Sequence, residues 1–151
     1  MDTREVLKKS ELFSELDEKQ LNIIYAMSMS QEVDPGVEVC KQGKSEDYVY
    51  VIEDGLVSII LEVGPITHRQ VQSASTLESF GWSAMVEPHI STATVKAKEK
   101  TKLLSFSGEQ LYNLFVTHPE IGYKVSKALA SVVAKRLRQA YIQLLGVTAQ
   151  E

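Results

Sequence analysis

The apolar positions change period twice along the chain. Over residues 2–29, Leu12, Phe13, Leu16, Leu21, Ile23, Ile24 and Met27 recur at helical spacings, with Ser14 and Asp17 available as caps. This stretch predicts a helical lead-in. From Ser30 onward, turn signals at Asp34-Pro35-Gly36, Gly43-Lys44-Ser45, Glu53-Asp54-Gly55 and Val63-Gly64-Pro65 cut the sequence into short segments. Between them lie Val37–Cys40, Tyr48–Ile52, Leu56–Leu61 and His68–Gln72, and after them come Ile90–Ala97 and Thr101–Phe106, separated by the charged turn Lys98-Glu99-Lys100. Most of these are β-branched or aromatic, and they do not alternate with helical segments. An antiparallel β-roll or jelly-roll barrel over residues 30–106 therefore fits better than a parallel sheet.

After Ser107 the helical period returns. Leu111, Leu114 and Phe115 mark a short helix, and Pro119 opens a longer one carrying Ile121, Val125, Leu129, Val132, Val133, Leu137, Tyr141, Leu144 and Leu145. About 25 residues at 1.5 Å each make this helix roughly 38 Å long, more than one small barrel spans. The predicted fold class is α+β, mainly β: a β-roll flanked by N-terminal helices and by C-terminal helices over 107–145. With no repeat or linker in view, the expectation is one domain over 1–151.

Composition narrows the function classes. The 151 residues hold 16 Lys+Arg and 20 Asp+Glu, a net charge of −4, which disfavours a nucleic-acid or anionic-membrane surface. No window approaches a membrane span, and the N-terminus has no apolar stretch of signal-peptide length, so a cytoplasmic protein is expected. The single cysteine, Cys40, has no partner for an intrachain disulfide and reads as a small apolar strand residue. His68, His89 and His118 lack the close spacing of a barrel metal site, and no nucleophile has a recognisable base. No enzyme, metal or cofactor is expected.

The turn glycines carry the functional signal. Gly36, Gly43 and Gly55 fall at separations of 7 and 12, with Asp47 and Tyr50 between the last two. Together with Phe80-Gly81, Ala84-Met85, Thr92-Ala93-Thr94-Val95 and the helix after Pro119, this pattern resembles the cyclic nucleotide-binding domain family over about residues 10 to 145. In that family the ligand site is a phosphate-binding cassette, a Phe-Gly-Glu-Leu-Ala-Leu stretch followed by an Arg-Ala/Ser-Ala-Thr strand. The resemblance implies backbone N–H groups and the Arg on the cyclic phosphate, and the Glu on the ribose hydroxyl.

Here the stretch reads Phe80-Gly81-Trp82-Ser83-Ala84-Met85-Val86, and Ser91-Thr92-Ala93-Thr94 begins ten residues after Gly81. Trp82 stands at the Glu position and Ser91 at the Arg position. Losing one partner of a buried charged contact costs about 2 to 5 kcal/mol, so ordinary cyclic-nucleotide binding should nearly vanish. The backbone N–H groups of Ser83, Ala84 and Met85 remain for an anion. His89, two residues before Ser91, is a candidate substitute cation on the same strand face, against the simpler reading of a solvated loop histidine. Trp82 either stacks on a planar ligand or fills the emptied pocket, and its apolar area favours filling.

Lys124, Lys127, Lys135, Arg136 and Arg138 on the long helix read most simply as a solvated face. The apolar stripe of the same helix predicts a homodimer, as in bacterial transcription regulators of the resembled family. Those regulators continue into a helix-turn-helix domain, whereas this sequence runs about six residues past the long helix to Glu151, and none is expected. Two functions remain open. One is a stand-alone regulatory ligand-sensing module, binding nucleotide weakly or accepting another small anion at Gly81, Trp82, Ser83, Ala84, Met85, His89, Ser91 and Thr92. The other is a pseudo-sensor that dimerises or docks a partner and has no small-molecule ligand.

Overall fold

The computed structural model describes residues 1–146. Residues 147–151, on which the expectation about a following domain turned, lie outside the described residues. Two helices, α1 (Thr3–Lys9) and α2 (Glu18–Met27), lead in. They do not form one continuous element, because Asp17 starts α2 afresh with a capping box: its side chain accepts from the Gln20 N–H at 2.8 Å, and Gln20 accepts from the Asp17 N–H at 3.0 Å. The turn between the helices buries Leu12, Phe13 and Leu16.

Eight strands follow: β1 (Met29–Val33), β2 (Glu38–Cys40), β3 (Tyr48–Asp54), β4 (Leu56–Glu62), β5 (His68–Ser75), β6 (Ser79–Phe80), β7 (Thr94–Ala97) and β8 (Thr101–Ser107). A 3₁₀ helix, Trp82–Met85, interrupts them, and α3 (Gly108–Thr117) and α4 (Pro119–Leu145) close the described chain. The strands form two four-stranded antiparallel sheets, ordered β1-β8-β3-β6 and β2-β7-β4-β5. This is the expected antiparallel roll, open rather than closed into a barrel. Sequence periodicity missed β1, which is almost wholly exposed and lacks alternation, and β6, which is two residues long. The strand expected from Ile90 begins only at Thr94, and Ile90 makes an isolated bridge to Ser45.

Both faces of β3 and β8, the central strands of the first sheet, are covered, which explains their unbroken apolar runs. Val49 and Val51 of β3 and Leu104 and Phe106 of β8 pack with the helices, while Tyr50, Ile52 and Leu103 face the second sheet with Val57, Ile59 and Val95. Phe13 from the lead-in turn meets Phe106 at 5.1 Å between ring centres, fastening the helical layer to the roll.

α4 lies back along its own roll through Ile121, Val125, Ala128, Val132 and Arg136, all buried. This corrects two expectations. Val125 and Val132 belong to the monomer core and Leu129 is half-buried against it, whereas Leu137 and Leu144 are exposed, so the single predicted stripe divides between two faces. Arg136, read as part of a solvated basic face, is one of the buried charges of the chain.

Candidate functional site

The cassette residues sit where β6 ends and the 3₁₀ helix begins. Gly81 makes that corner with φ +79°, and a Cβ there would lie 2.7 Å from the Tyr48 carbonyl oxygen, so a glycine is required both by conformation and by space. Immediately beyond it, Trp82 folds inward and its indole N–H donates to Ser79 Oγ at 3.0 Å. Phe80, stacked on Tyr50 with ring centres 4.9 Å apart, forms the floor.

Together these elements bound a cavity of about 170 Å³. Its apolar wall comes from Cys40, Ile59, Phe80 and Val95, and its polar rim from Ser83, Ser91 and Thr92. Gln72 of β5 and Arg136 of α4 close the remaining side with Trp82. Burial and the neighbouring Glu46 carboxylate push the Cys40 thiol well above its ordinary range, which makes it an inert wall residue, as its sequence context suggested.

Of the residues singled out from sequence, Gly81, Trp82, Ser83, Ser91 and Thr92 line this cavity. Ala84, Met85 and His89 do not: they line a separate groove with Glu46, Asp47 and Tyr48. His89 is not on a strand shared with Ser91. It has φ +61°, and its ring turns toward the 3₁₀ helix, with Nδ1 3.1 Å from the Ser83 carbonyl oxygen and Nε2 3.4 Å from Glu87. The expected row of free N–H groups is also shortened, since the Ala84 N–H donates to the Gly81 carbonyl at 3.1 Å.

Ser91 is committed to a partner of its own. Its hydroxyl donates to the buried Glu46 carboxylate at 3.1 Å, and its N–H donates to the Lys44 carbonyl in the turn that starts at Gly43. The Arg position of the family cassette is therefore filled by a short hydroxyl facing a carboxylate.

A cation reaches the cavity from another element. Arg136 is only 7% exposed, its guanidinium carbon lies 4.7 Å from the centre of the Trp82 ring, and Nη2 donates to the Ser79 carbonyl at 3.0 Å. Glu11 Oε2, which accepts from both the Ser79 N–H and hydroxyl, stands 3.7 Å from Nη2. Gln72 bonds the Arg136 carbonyl at 3.0 Å, tying the backbone of α4 to β5. Burial lowers the Arg136 pKa from its ordinary value, and Glu11 and Glu78 work against that shift. Sequence reasoning missed Arg136, Gln72 and Glu46. One signal was available for Arg136: it continues the buried stripe Ile121, Val125, Ala128, Val132 by one further helical turn.

The description "cyclic nucleotide-binding domain" belongs to a family model that matches residues 30–118. The chain belongs to the cyclic nucleotide-binding domain family. Among curated relatives, a Rhodopseudomonas palustris protein named, provisionally, as a potassium channel is 27% identical over 135 residues, which is 89% of this chain and 32% of that protein. A cGMP-dependent protein kinase of Toxoplasma gondii is 26% identical over 73% of this chain and 11% of its own length. The chain thus spans a third or less of these relatives. Among solved structures, a cyclic nucleotide-binding domain from Methylobacillus flagellatus superposes with a TM-score of 0.83 at 21% identity, over 97% of this chain and 83% of that one. The Thermus thermophilus catabolite activator protein superposes at 0.75 with 24% identity, over 89% and 62%. These likenesses establish the fold. Among the described residues, no helix is long and apolar enough to cross a membrane.

Proposed function

We propose that this chain is a non-catalytic, cytoplasmic regulatory module that senses a small ligand other than an ordinary cyclic nucleotide, which it binds weakly at most. The supporting observation is the cavity itself. Pockets for drug-sized ligands run about 300–1,000 Å³, and this one holds about 170 Å³, with the Trp82–Arg136 pair among its walls. The two positions that read phosphate and ribose in the family carry Ser91, spent on Glu46, and Trp82, spent on Ser79.

A thermal-shift panel of cyclic mononucleotides, cyclic dinucleotides and small anions tests this reading. A ligand at about 100 times its dissociation constant adds about 2.7 kcal/mol to stability. A clear shift with a small anion and little with cyclic AMP is expected; a flat panel would support the pseudo-sensor instead.

The same proposal includes a homodimer through α4. Val133, Leu137, Tyr141, Leu144 and Leu145 are exposed along its outer side and toward its end, an apolar surface that a second copy would cover. This is also the observation that favours the pseudo-sensor as the second reading.

A further inference from the structure

A guanidinium has five N–H donors. That of Arg136 makes one hydrogen bond within the described residues, from Nη2 to Ser79, with Glu11 at ion-pair distance on the same nitrogen. No fully buried side-chain nitrogen or oxygen lacks a partner among the described residues. Nε and Nη1, which have none, therefore each keep some surface, and Arg136 is among the residues that line the cavity. One side of the guanidinium is covered by Trp82. What remains is a guanidinium, nine-tenths buried, held by Ser79, Trp82 and the Gln72 clamp on its backbone, with uncommitted donors at the side of a small chamber.

We infer that the cavity is a receptor site for a small organic monocarboxylate carrying one ring, with the carboxylate read by the Arg136 guanidinium and the ring seated against Ile59, Phe80 and Val95. Geometry sets the size: an apolar cavity of about 150 Å³ admits one benzene ring, and this one is about 170 Å³. The wall chemistry calls for an apolar body, and the planar guanidinium matches a carboxylate in two parallel hydrogen bonds, one from Nε or Nη1 and one from the second N–H of Nη2. Electrostatics sets the charge. Glu11 already offsets part of the Arg136 charge, Glu78 adds to that offset, and the buried Glu46 stands behind Ser91. A dianion such as phosphate doubles both the attraction to Arg136 and the repulsion from these carboxylates, and with Glu11, Glu78 and Glu46 set against one guanidinium the repulsion grows more. This inference rests on the reading of the module as a small-ligand sensor and names its ligand class and its reading residue.

The test titrates the full chain with benzoate, its neutral isostere benzamide, inorganic phosphate and cyclic AMP, followed by calorimetry and by the emission of Trp82, the single tryptophan. Benzoate is expected to bind about tenfold or more tighter than benzamide and to quench Trp82, as the loss of a charge-assisted fork would require. Arg136→Lys, which keeps the charge and loses the fork, and Arg136→Gln should each weaken benzoate by about tenfold or more while leaving benzamide within about twofold. Because the comparison of benzoate with benzamide uses the unaltered chain, it holds even if the variants fold poorly. Equal binding of the two, phosphate binding tighter than benzoate, or folded variants that bind benzoate unchanged would overturn the role of Arg136. Tight cyclic AMP with silent benzoate would overturn the inference and the altered-ligand reading but leave a sensor. Silence from every probe would overturn both the inference and the sensor reading.

Discussion

The guanidinium of Arg136 lies 4.7 Å from the centre of the Trp82 ring, although the two residues are separated by the whole of β7, β8 and α3. The contact joins the far half of α4 to the cassette corner. Removing the arginine takes the ion-pair partner from Glu11 and a donor from the Ser79 carbonyl, and uncovers the indole, so Arg136→Ala should cost about 1–3 kcal/mol. It should also shift Trp82 emission toward longer wavelength. Urea unfolding and fluorescence on the same samples check both, and an unchanged spectrum would mean that the pair is not formed in solution.

Cyclic AMP should bind the native chain poorly. Restoring both family side chains, Trp82→Glu with Ser91→Arg, opens space beside Gly81 and places an arginine next to the Glu46 carboxylate that now accepts from Ser91. At about 2 to 5 kcal/mol per buried charged contact, a gain of at least about 30-fold is expected by calorimetry. A low-micromolar native affinity, or no gain in the double variant, would count against the assignment of these positions.

The division of the α4 apolar residues can be read by charge insertion. Leu137→Glu on the outer side should convert a dimer into folded monomers of 16.8 kDa with stability changed by no more than about 0.5 kcal/mol. Leu129→Glu, half-buried against the helical core, should lower stability by about 1–3 kcal/mol in either oligomeric state. Light scattering at high micromolar concentration, paired with urea midpoints, separates the two. A native monomer would end the dimer proposal.

Glu62 of β4 accepts from Lys41 at 2.8 Å and from Thr94 at 2.7 Å. Lys41 first, and then Thr94, hold its carboxyl below the ordinary value of 4.5. A carboxyl lowered in the folded state stabilises the fold above 4.5 and loses that contribution as pH falls through its folded value. The stability difference between the native chain and Glu62→Gln should therefore be widest near neutrality and shrink as the pH drops below about 4.5. Urea midpoints across pH 3–7 check the sign, and a difference that widens on acidification would contradict it.

Gly81→Ala puts a methyl group into a left-handed corner already filled by the Tyr48 carbonyl. A loss of about 1–3 kcal/mol is expected, together with a changed Trp82 environment, because the indole hangs from the next residue. A fully stable Gly81→Ala chain with native emission would show that the corner has room for a side chain.

Local chemistry carried most of the fold. The Asp17 and Gln20 box, Pro119 at the start of α4 and the glycines at 36 and 43 act through near neighbours, so their consequences are legible from a few residues. The runs at Tyr48–Ile52 and Leu103–Phe106 were likewise readable as strands, because their residue types satisfy a sheet covered on both faces. By contrast β1 is held by its pairing with β8 across the chain, and nothing in Met-Ser-Gln-Glu-Val declares a strand.

The site divides in the same way. The cassette corner, with Gly81, Trp82, Ser83, Ser91 and Thr92, was legible because its residues are close in sequence and their spacing is kept. His89 was misplaced because a positive-φ turn sends its ring away from Ser91, and face alternation holds only inside a strand. What the tertiary structure alone decided is which distant groups close the cavity and which hold them: Arg136 of α4 and Gln72 of β5 line it, while Glu11 of the lead-in turn and Glu46 of the loop before β3 stand against Arg136 and Ser91. A charge on a helix reads as solvated until the packing of that helix is known, since the same guanidinium is cheap in water and tolerable in a core only beside a carbonyl, an aromatic face and a carboxylate. The sequence determined the corner and the absence of the family's two reading side chains there; only the return of α4 across the roll decided that the cavity has a cation at all.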